Sequence, residues 1–137
     1  MRNFKRKMFA MVLVFAMLLS SAQFVFAGTT IPTTLYQWNG GSEFINFTIS
    51  NYIYSPYVYK VNNNSTKTLG VQLNTSSTLR VQIIKTGSNT IVFDATKSNG
   101  EYYKSGLDPN ATYYIKFINP TGISITTSGF IYTDFNR

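Results

Sequence analysis

The 137-residue chain contains no cysteine, no histidine and only five acidic residues. The first two absences remove much of enzyme chemistry. A Ser-His-Asp triad, a Cys-His dyad and a zinc site of the usual ligand types all need one residue or the other. Without cysteine there is also no disulfide framework, so burial and strand pairing must hold the fold. The acids are Glu43, Asp94, Glu101, Asp108 and Asp134. A glycosidase needs two carboxylates about 5–10 Å apart across a sugar cleft. Asp94 and Glu101, on either side of the 95–100 connection, are the pair nearest to this. Asp94 follows an apolar run and Glu101 starts the next segment, so both are expected at a solvated loop. No Ser is marked out as partner to a Lys. The expectation is a protein that is not an enzyme and takes no cofactor or metal.

Beyond residue 27 there is also no ten-residue window with the 3.6-residue apolar period of an amphipathic helix. Internal repeats and linkers are missing as well, so one domain with one core is expected.

The N-terminus is different in kind. Arg2, Lys5, Arg6 and Lys7 precede an uncharged apolar stretch over 8–19, and the chain turns polar at Ser20 and Ser21. This is the layout of a secretory signal, and the run is shorter than the roughly 20 apolar residues of a bilayer crossing. Val25 and Ala27 stand three and one positions before a cut between Ala27 and Gly28, with Ala22-Gln23 as the alternative cut. An uncleaved N-terminal anchor is the competing reading, because residues 24–27 lengthen the apolar stretch. Residues 1–27 are thus read as signal peptide. Residues 28–43, with Pro32, Trp38 and Gly40-Gly41, form an irregular arm or edge strand, and 44–137 a β-sandwich domain.

Removing the signal changes the charge. Four of the 12 basic residues go with it, leaving eight against five acids, a net +3 rather than +7. The eight are spread singly, which does not support a nucleic-acid footprint; attraction to anionic cell-wall polymers or membrane surfaces stays open. No stable membrane insertion is expected after cleavage. Secretion to the extracellular medium or cell wall of a single-membrane bacterium is the expected destination.

Period-two alternation recurs along the mature chain. Tyr57, Tyr59 and Val61 oppose Val58, Lys60 and Asn62. Leu69, Val71 and Leu73 alternate with Gly70 and Gln72; Leu79, Val81 and Ile83 with Arg80 and Gln82; Tyr113, Ile115 and Phe117 with Tyr114 and Lys116; Phe130 and Tyr132 with Ile131 and Thr133. Turn residues punctuate these runs at 62–65, 74–77, 98–100, 106–110 and 119–122, and 86–89 reads as a hairpin loop. Closely spaced strands without helical crossovers predict an all-β, antiparallel, jelly-roll-like sandwich or flattened barrel.

From about Ser55 to Tyr132 the order of parts resembles the bacterial pre-peptidase C-terminal domain. Tyr57-Val58-Tyr59-Lys60-Val61 leads to the strands at 68–74, 78–85 and 91–93. Leu107-Asp108-Pro109-Asn110-Ala111-Thr112-Tyr113-Tyr114-Ile115 then resembles the family's leucine, turn, Thr-Tyr-Tyr-Ile strand, and Phe130-Ile131-Tyr132 closes the domain. The resemblance implies a β-sandwich with an accessory role. The family's Asp-x-Asp segment, which contributes to calcium binding, is replaced here by Arg80-Val81-Gln82-Ile83, so no calcium is implied.

All ten Tyr lie beyond residue 27. Tyr52, Tyr54, Tyr57 and Tyr59 crowd around Pro56, and Tyr102-Tyr103 and Tyr113-Tyr114 are adjacent pairs. Neighbours in a strand face opposite sides, so one member of each pair must point away from the core. An exposed row of Tyr suits sugar rings, because the ring is apolar and the hydroxyl hydrogen-bonds. Tyr52, Tyr54, Tyr57, Tyr59, Tyr103, Tyr114 and Trp38 are the candidate binding residues. Tyr is also simply a good β-former that fills edges and surfaces. Lys60, Lys116 and Arg80 could form an anionic-polymer patch or be ordinary solubilising charge, and residues 62–66 could be a recognition loop or a plain turn. The expected function is a secreted, non-enzymatic accessory or binding protein acting on cell-wall or matrix polysaccharide. The alternative is a secreted antimicrobial or toxin-like factor using the aromatic segment 51–60.

Overall fold

The computed structural model describes residues 28–37, 42–62 and 66–133; the predicted signal peptide with Ala27, Trp38 and turn residues 63–65 lie outside them. Eight strands follow in order: β1 Glu43–Ile49, β2 Tyr52–Tyr54, β3 Leu69–Leu73, β4 Leu79–Lys85, β5 Thr90–Lys97, β6 Glu101–Lys104, β7 Tyr113–Ile118 and β8 Ile125–Thr133. Among the described residues there is no helix. The strands form two four-stranded sheets, β1-β8-β3-β6 (sheet I) and β2-β7-β4-β5 (sheet II). Every pairing between strands is antiparallel. This is the strand order of a jelly roll, in which successive strands switch between two facing sheets.

The alternation in the sequence explains the layers. In β1 every second residue is buried, so Ile45, Phe47 and Ile49 face sheet II while Phe44, Asn46 and Thr48 face solvent. Leu79, Val81 and Ile83 of β4 and Ile115 and Phe117 of β7 are fully buried from the other side. Phe47 and Phe117 meet across the gap with ring centroids 4.9 Å apart. Tyr102 of β6 reaches across as well. Its hydroxyl lies 2.8 Å from the Leu79 carbonyl and 2.9 Å from that of Lys97, a registered pair of sheet II. The one O–H proton is shared between two acceptors, and a buried polar tip is satisfied while the ring fills core. The 86–89 hairpin joins β4 to β5, with Gly87 (φ 84°) and Asn89 (φ 54°) taking the left-handed conformations such loops need.

Two expectations are corrected. Tyr57–Val61 is not a strand: it makes only single bridges, Val58 to Leu35 and Tyr59 to Tyr113, because no continuous partner runs beside it. Asp94 lies mid-strand in β5, not at a loop. Glu43 is the first residue of β1, an edge strand of sheet I, and in β8 Ile131 and Thr133 face the core while Phe130 and Tyr132 face out.

Candidate functional site

The register of sheet II places Tyr54, Lys116, Gln82 and Asp94 in one cross-strand row on its outer face. Tyr52 and Tyr54 meet edge-on with centroids 5.7 Å apart, as do Tyr54 and Tyr114. The Lys116 ammonium lies 4.7 Å from the Tyr52 ring centre and 5.7 Å from that of Tyr54, within cation–π range. Tyr114 is roofed by Val58, Ile84 and Tyr54 and is buried; its hydroxyl donates to Asn89 Oδ1 at 3.2 Å. The aromatic faces of this cluster are therefore occupied by one another and by an ammonium. At the far side Arg80 grips Asp94 with two bonds of 2.8 and 2.6 Å, and Gln82 Nε2 adds a third at 3.0 Å. The Arg80 bonds hold the Asp94 carboxyl down to about 2, with Gln82 helping.

The outer face of sheet I is more open. Phe44 pairs with Phe130, and Gln72 and Glu101 continue the row across β3 and β6. The two phenyl rings meet edge-on at 5.6 Å and remain 51% and 46% exposed. One row further, Tyr132, Gly70 and Tyr103 face one another. A Cβ at position 70 would collide with the Tyr132 ring, so the glycine lets that ring lie across the strand. Tyr103 completes the line and is also exposed. With strands spaced about 4.8 Å apart, these two adjacent rows bring rings from β1, β8 and β6 across a sheet about 14 Å wide. Asn46 opposite Ser128, and Thr48 bonded to Thr126 at 2.8 Å, form a polar border. Glu101 is the one charged residue in these rows.

A third cluster lies at one end of the core. Glu43 points inward and is 5% exposed. Tyr59 donates its hydroxyl to Glu43 Oε2 at 2.5 Å, while Oε1 has no hydrogen-bond partner. Burial raises the Glu43 carboxyl to about 7, although the Tyr59 bond pulls the other way. Burial, reinforced by Glu43, likewise pushes Tyr59 well above its ordinary value. Tyr36 from the arm packs against Tyr57 and Tyr59 at 5.4 and 5.9 Å.

The sequence-selected residues thus separate. Tyr52 and Tyr54 share the outer face of sheet II, and Tyr103 lies on the opposite face of the molecule. Tyr59 and Tyr114 are buried and have no ring face to offer a ligand, which removes them as contact residues. Tyr57 is half-buried beside Tyr36; Trp38 lies outside the described residues. Phe44 and Phe130 are not among the sequence candidates, because an isolated Phe reads as core, yet both are exposed. A usable signal existed: Phe44 shares its side of the strand with Asn46 and Thr48, and Phe130 with Thr126 and Ser128. Asp94 and Glu101 lie on outward faces of different sheets, with the core between them. Among the described residues no three acids gather as a metal site, and no helix is long and apolar enough to cross a membrane.

Fold and surface together define an eight-stranded antiparallel sandwich with an exposed aromatic patch on one sheet. No protein-family model matches the chain, and no curated protein matches it. Among solved structures it is similar to that of PliG from Aeromonas hydrophila, a periplasmic inhibitor of g-type lysozyme. The TM-score is 0.52 at 14% identity, over 74% of this chain and 96% of that one. At that identity the likeness is one of fold.

Proposed function

We propose that the chain is an exported, non-catalytic binding protein whose working surface is the outer face of sheet I, and that its ligand is a neutral extracellular polysaccharide. The carrying observation is the aromatic patch of Phe44, Phe130, Tyr132 and Tyr103, two adjacent cross-strand rows with rings from β1, β8 and β6, in which both Phe rings stay about half exposed. Exposed rings suit the apolar C–H faces of sugars, and Gln72, Asn46 and Ser128 supply hydrogen bonds to hydroxyls beside them. With Glu101 as its one charge, the face favours a neutral polymer over an anionic one. Export is supported by the basic and apolar leader, and a non-catalytic role by the lack of His and Cys and the separation of Asp94 from Glu101. The accessory role implied by the pre-peptidase C-terminal resemblance agrees with this function.

The test is co-sedimentation of the purified protein with insoluble chitin, cellulose and peptidoglycan. Retention on chitin or cellulose, lost in the Phe44→Ala/Phe130→Ala double variant, is expected; retention on neither, or on the charged peptidoglycan alone, refutes the proposal.

A protein partner is the second reading. Phenyl rings bring no hydrogen-bonding group, and the structural neighbour is an inhibitor of a lysozyme. Slowed lysis of bacterial cells by a g-type lysozyme, reversed by the same double variant, would favour it. The toxin-like alternative is less well supported, since segment 51–60 is tied into sheet II through the β2–β7 ladder and the Tyr59–Tyr113 bridge.

A further inference from the structure

The arm over 28–37 is thinly attached. Among the described residues its backbone bonds to the sandwich are three. Tyr54 N–H donates to the Gly28 carbonyl (2.7 Å), Tyr36 N–H to that of Val58 (2.9 Å), and Val58 N–H to that of Thr34 (2.9 Å). Ile31 and Leu35 of the arm are exposed, and Tyr36 is its aromatic contact with the core. Near Tyr36 lies the buried Glu43 carboxyl, with Oε1 unpartnered, close enough that, after burial itself, its charge raises the Tyr36 hydroxyl. The titratable groups around it are Tyr36 from the arm and Tyr57 and Tyr59 from the segment after β2. Tyr113 of β7 is bridged to Tyr59 through the backbone, but its hydroxyl is engaged with the Asp108 backbone. The ion pairs among the described residues are Arg80–Asp94 and Lys85–Asp108, and none among them joins a cation to Glu43.

We infer that the arm is a proton-controlled clasp, closed over the neutral Glu43 carboxyl and released when that carboxyl ionises, which unpairs the backbone of Tyr54 on the edge of sheet II and of Val58 in the segment after β2. A buried charge with an unpartnered oxygen must be hydrated or neutralised. Three described parts of the fold adjoin Glu43. The N-terminal end of β1 is locked by a seven-pair ladder to β8, and segment 57–61 is held by the fully buried Tyr59, which exchanges two backbone bonds with Tyr113 and bonds the carboxyl itself, whereas the arm is held by three backbone bonds, the half-buried Tyr36 ring and the buried Pro32. Lifting the arm is the smaller disruption, in keeping with local openings being drawn from the least-contacted parts of a fold. With the carboxyl raised to about 7, release falls near neutral pH. The inference concerns an edge of sheet II and does not depend on what the face of sheet I binds.

The test is amide hydrogen exchange on the purified protein at pH 6 and pH 8.5, corrected for intrinsic exchange rates. Protection at Tyr36, Tyr54 and Val58 is expected to fall about tenfold between the two. It should also lie well below that of core amides such as Val81 and Phe117 at both pH values, and Glu43→Gln should abolish the fall. Three results would overturn the inference: pH-independent protection in the arm, arm amides that exchange only together with the core, or the same fall in Glu43→Gln. Should that variant fail to fold, the arm-against-core comparison in the unaltered protein decides alone.

Discussion

Replacing Glu43 by Gln keeps the side-chain shape and an acceptor for the Tyr59 hydroxyl but removes the ionisation. The folded carboxyl titrates at about 7 against an ordinary value of 4.5, so between these values the folded state holds a proton that the unfolded chain has lost. Stability from this group is therefore fully present below 4.5 and is lost as pH rises through 7. From pH 5 to pH 8 the loss amounts to about 2.5 kcal/mol, at about 1.4 kcal/mol per unit of pKa difference. Asp94, held down to about 2, and Asp108, lowered by its hydrogen bond from the Asn110 backbone, are ionised throughout this window and contribute no slope. Urea denaturation followed by tyrosine fluorescence and far-ultraviolet circular dichroism reads the effect. For a domain of this size the unaltered midpoint should drop by roughly 2 M across the range. The Glu43→Gln midpoint should stay level and exceed the unaltered one at pH 8. Equal slopes in the two proteins, or an unaltered protein no less stable at pH 8 than at pH 5, would refute the assignment of a buried, uncompensated carboxyl.

Other consequences are more local. Gly70→Ala drives a methyl group into the Tyr132 ring; it should lower stability by about 1–3 kcal/mol, the usual range for overpacking, and weaken ligand retention, both read on one preparation. Tyr102→Phe strips the hydroxyl that meets the Leu79 and Lys97 carbonyls, and thermal denaturation should show a loss of about 1–3 kcal/mol with binding unchanged. Arg80→Ala should let the Asp94 carboxyl rise from about 2 toward its ordinary value, visible by NMR titration. Because the pair lies at the surface and is screened by solvent, the change in stability at pH 7 should be small. The Asp94 contribution is present above its ordinary pKa and is lost as pH falls toward 2.

Much of the fold was legible where one side of a strand carries aliphatic residues and the other polar ones. β3, β4 and β7 announce themselves in this way, and Gly87 and Asn89 mark the hairpin between β4 and β5. The rule that one of two adjacent tyrosines must point away from the core works for Tyr102 and Tyr103, which are buried and exposed in turn. For Tyr113 and Tyr114 the direction also holds, but outward does not mean exposed. Tyr114 does point outward, but Val58, Ile84 and Tyr54 cover it, and no local pattern reveals a roof built from distant segments. The same limit explains Glu43: it is buried and bonded to Tyr59, 16 positions away in the sequence. β2 has three residues, too few for a period to show. The aromatic patch on sheet I depends on cross-strand register, which joins Phe44 to Phe130 over 86 positions of sequence.

The central claim is that the sheet I face is the ligand surface. Sedimentation with insoluble chitin, cellulose and peptidoglycan, performed side by side on the unaltered protein, Phe44→Ala/Phe130→Ala and Tyr52→Ala, tests it most directly. Retention of the unaltered protein and of Tyr52→Ala, with loss in the double variant and little effect of added salt, is the predicted result. Retention that survives in the double variant and is lost in Tyr52→Ala would move the site to sheet II and contradict the claim.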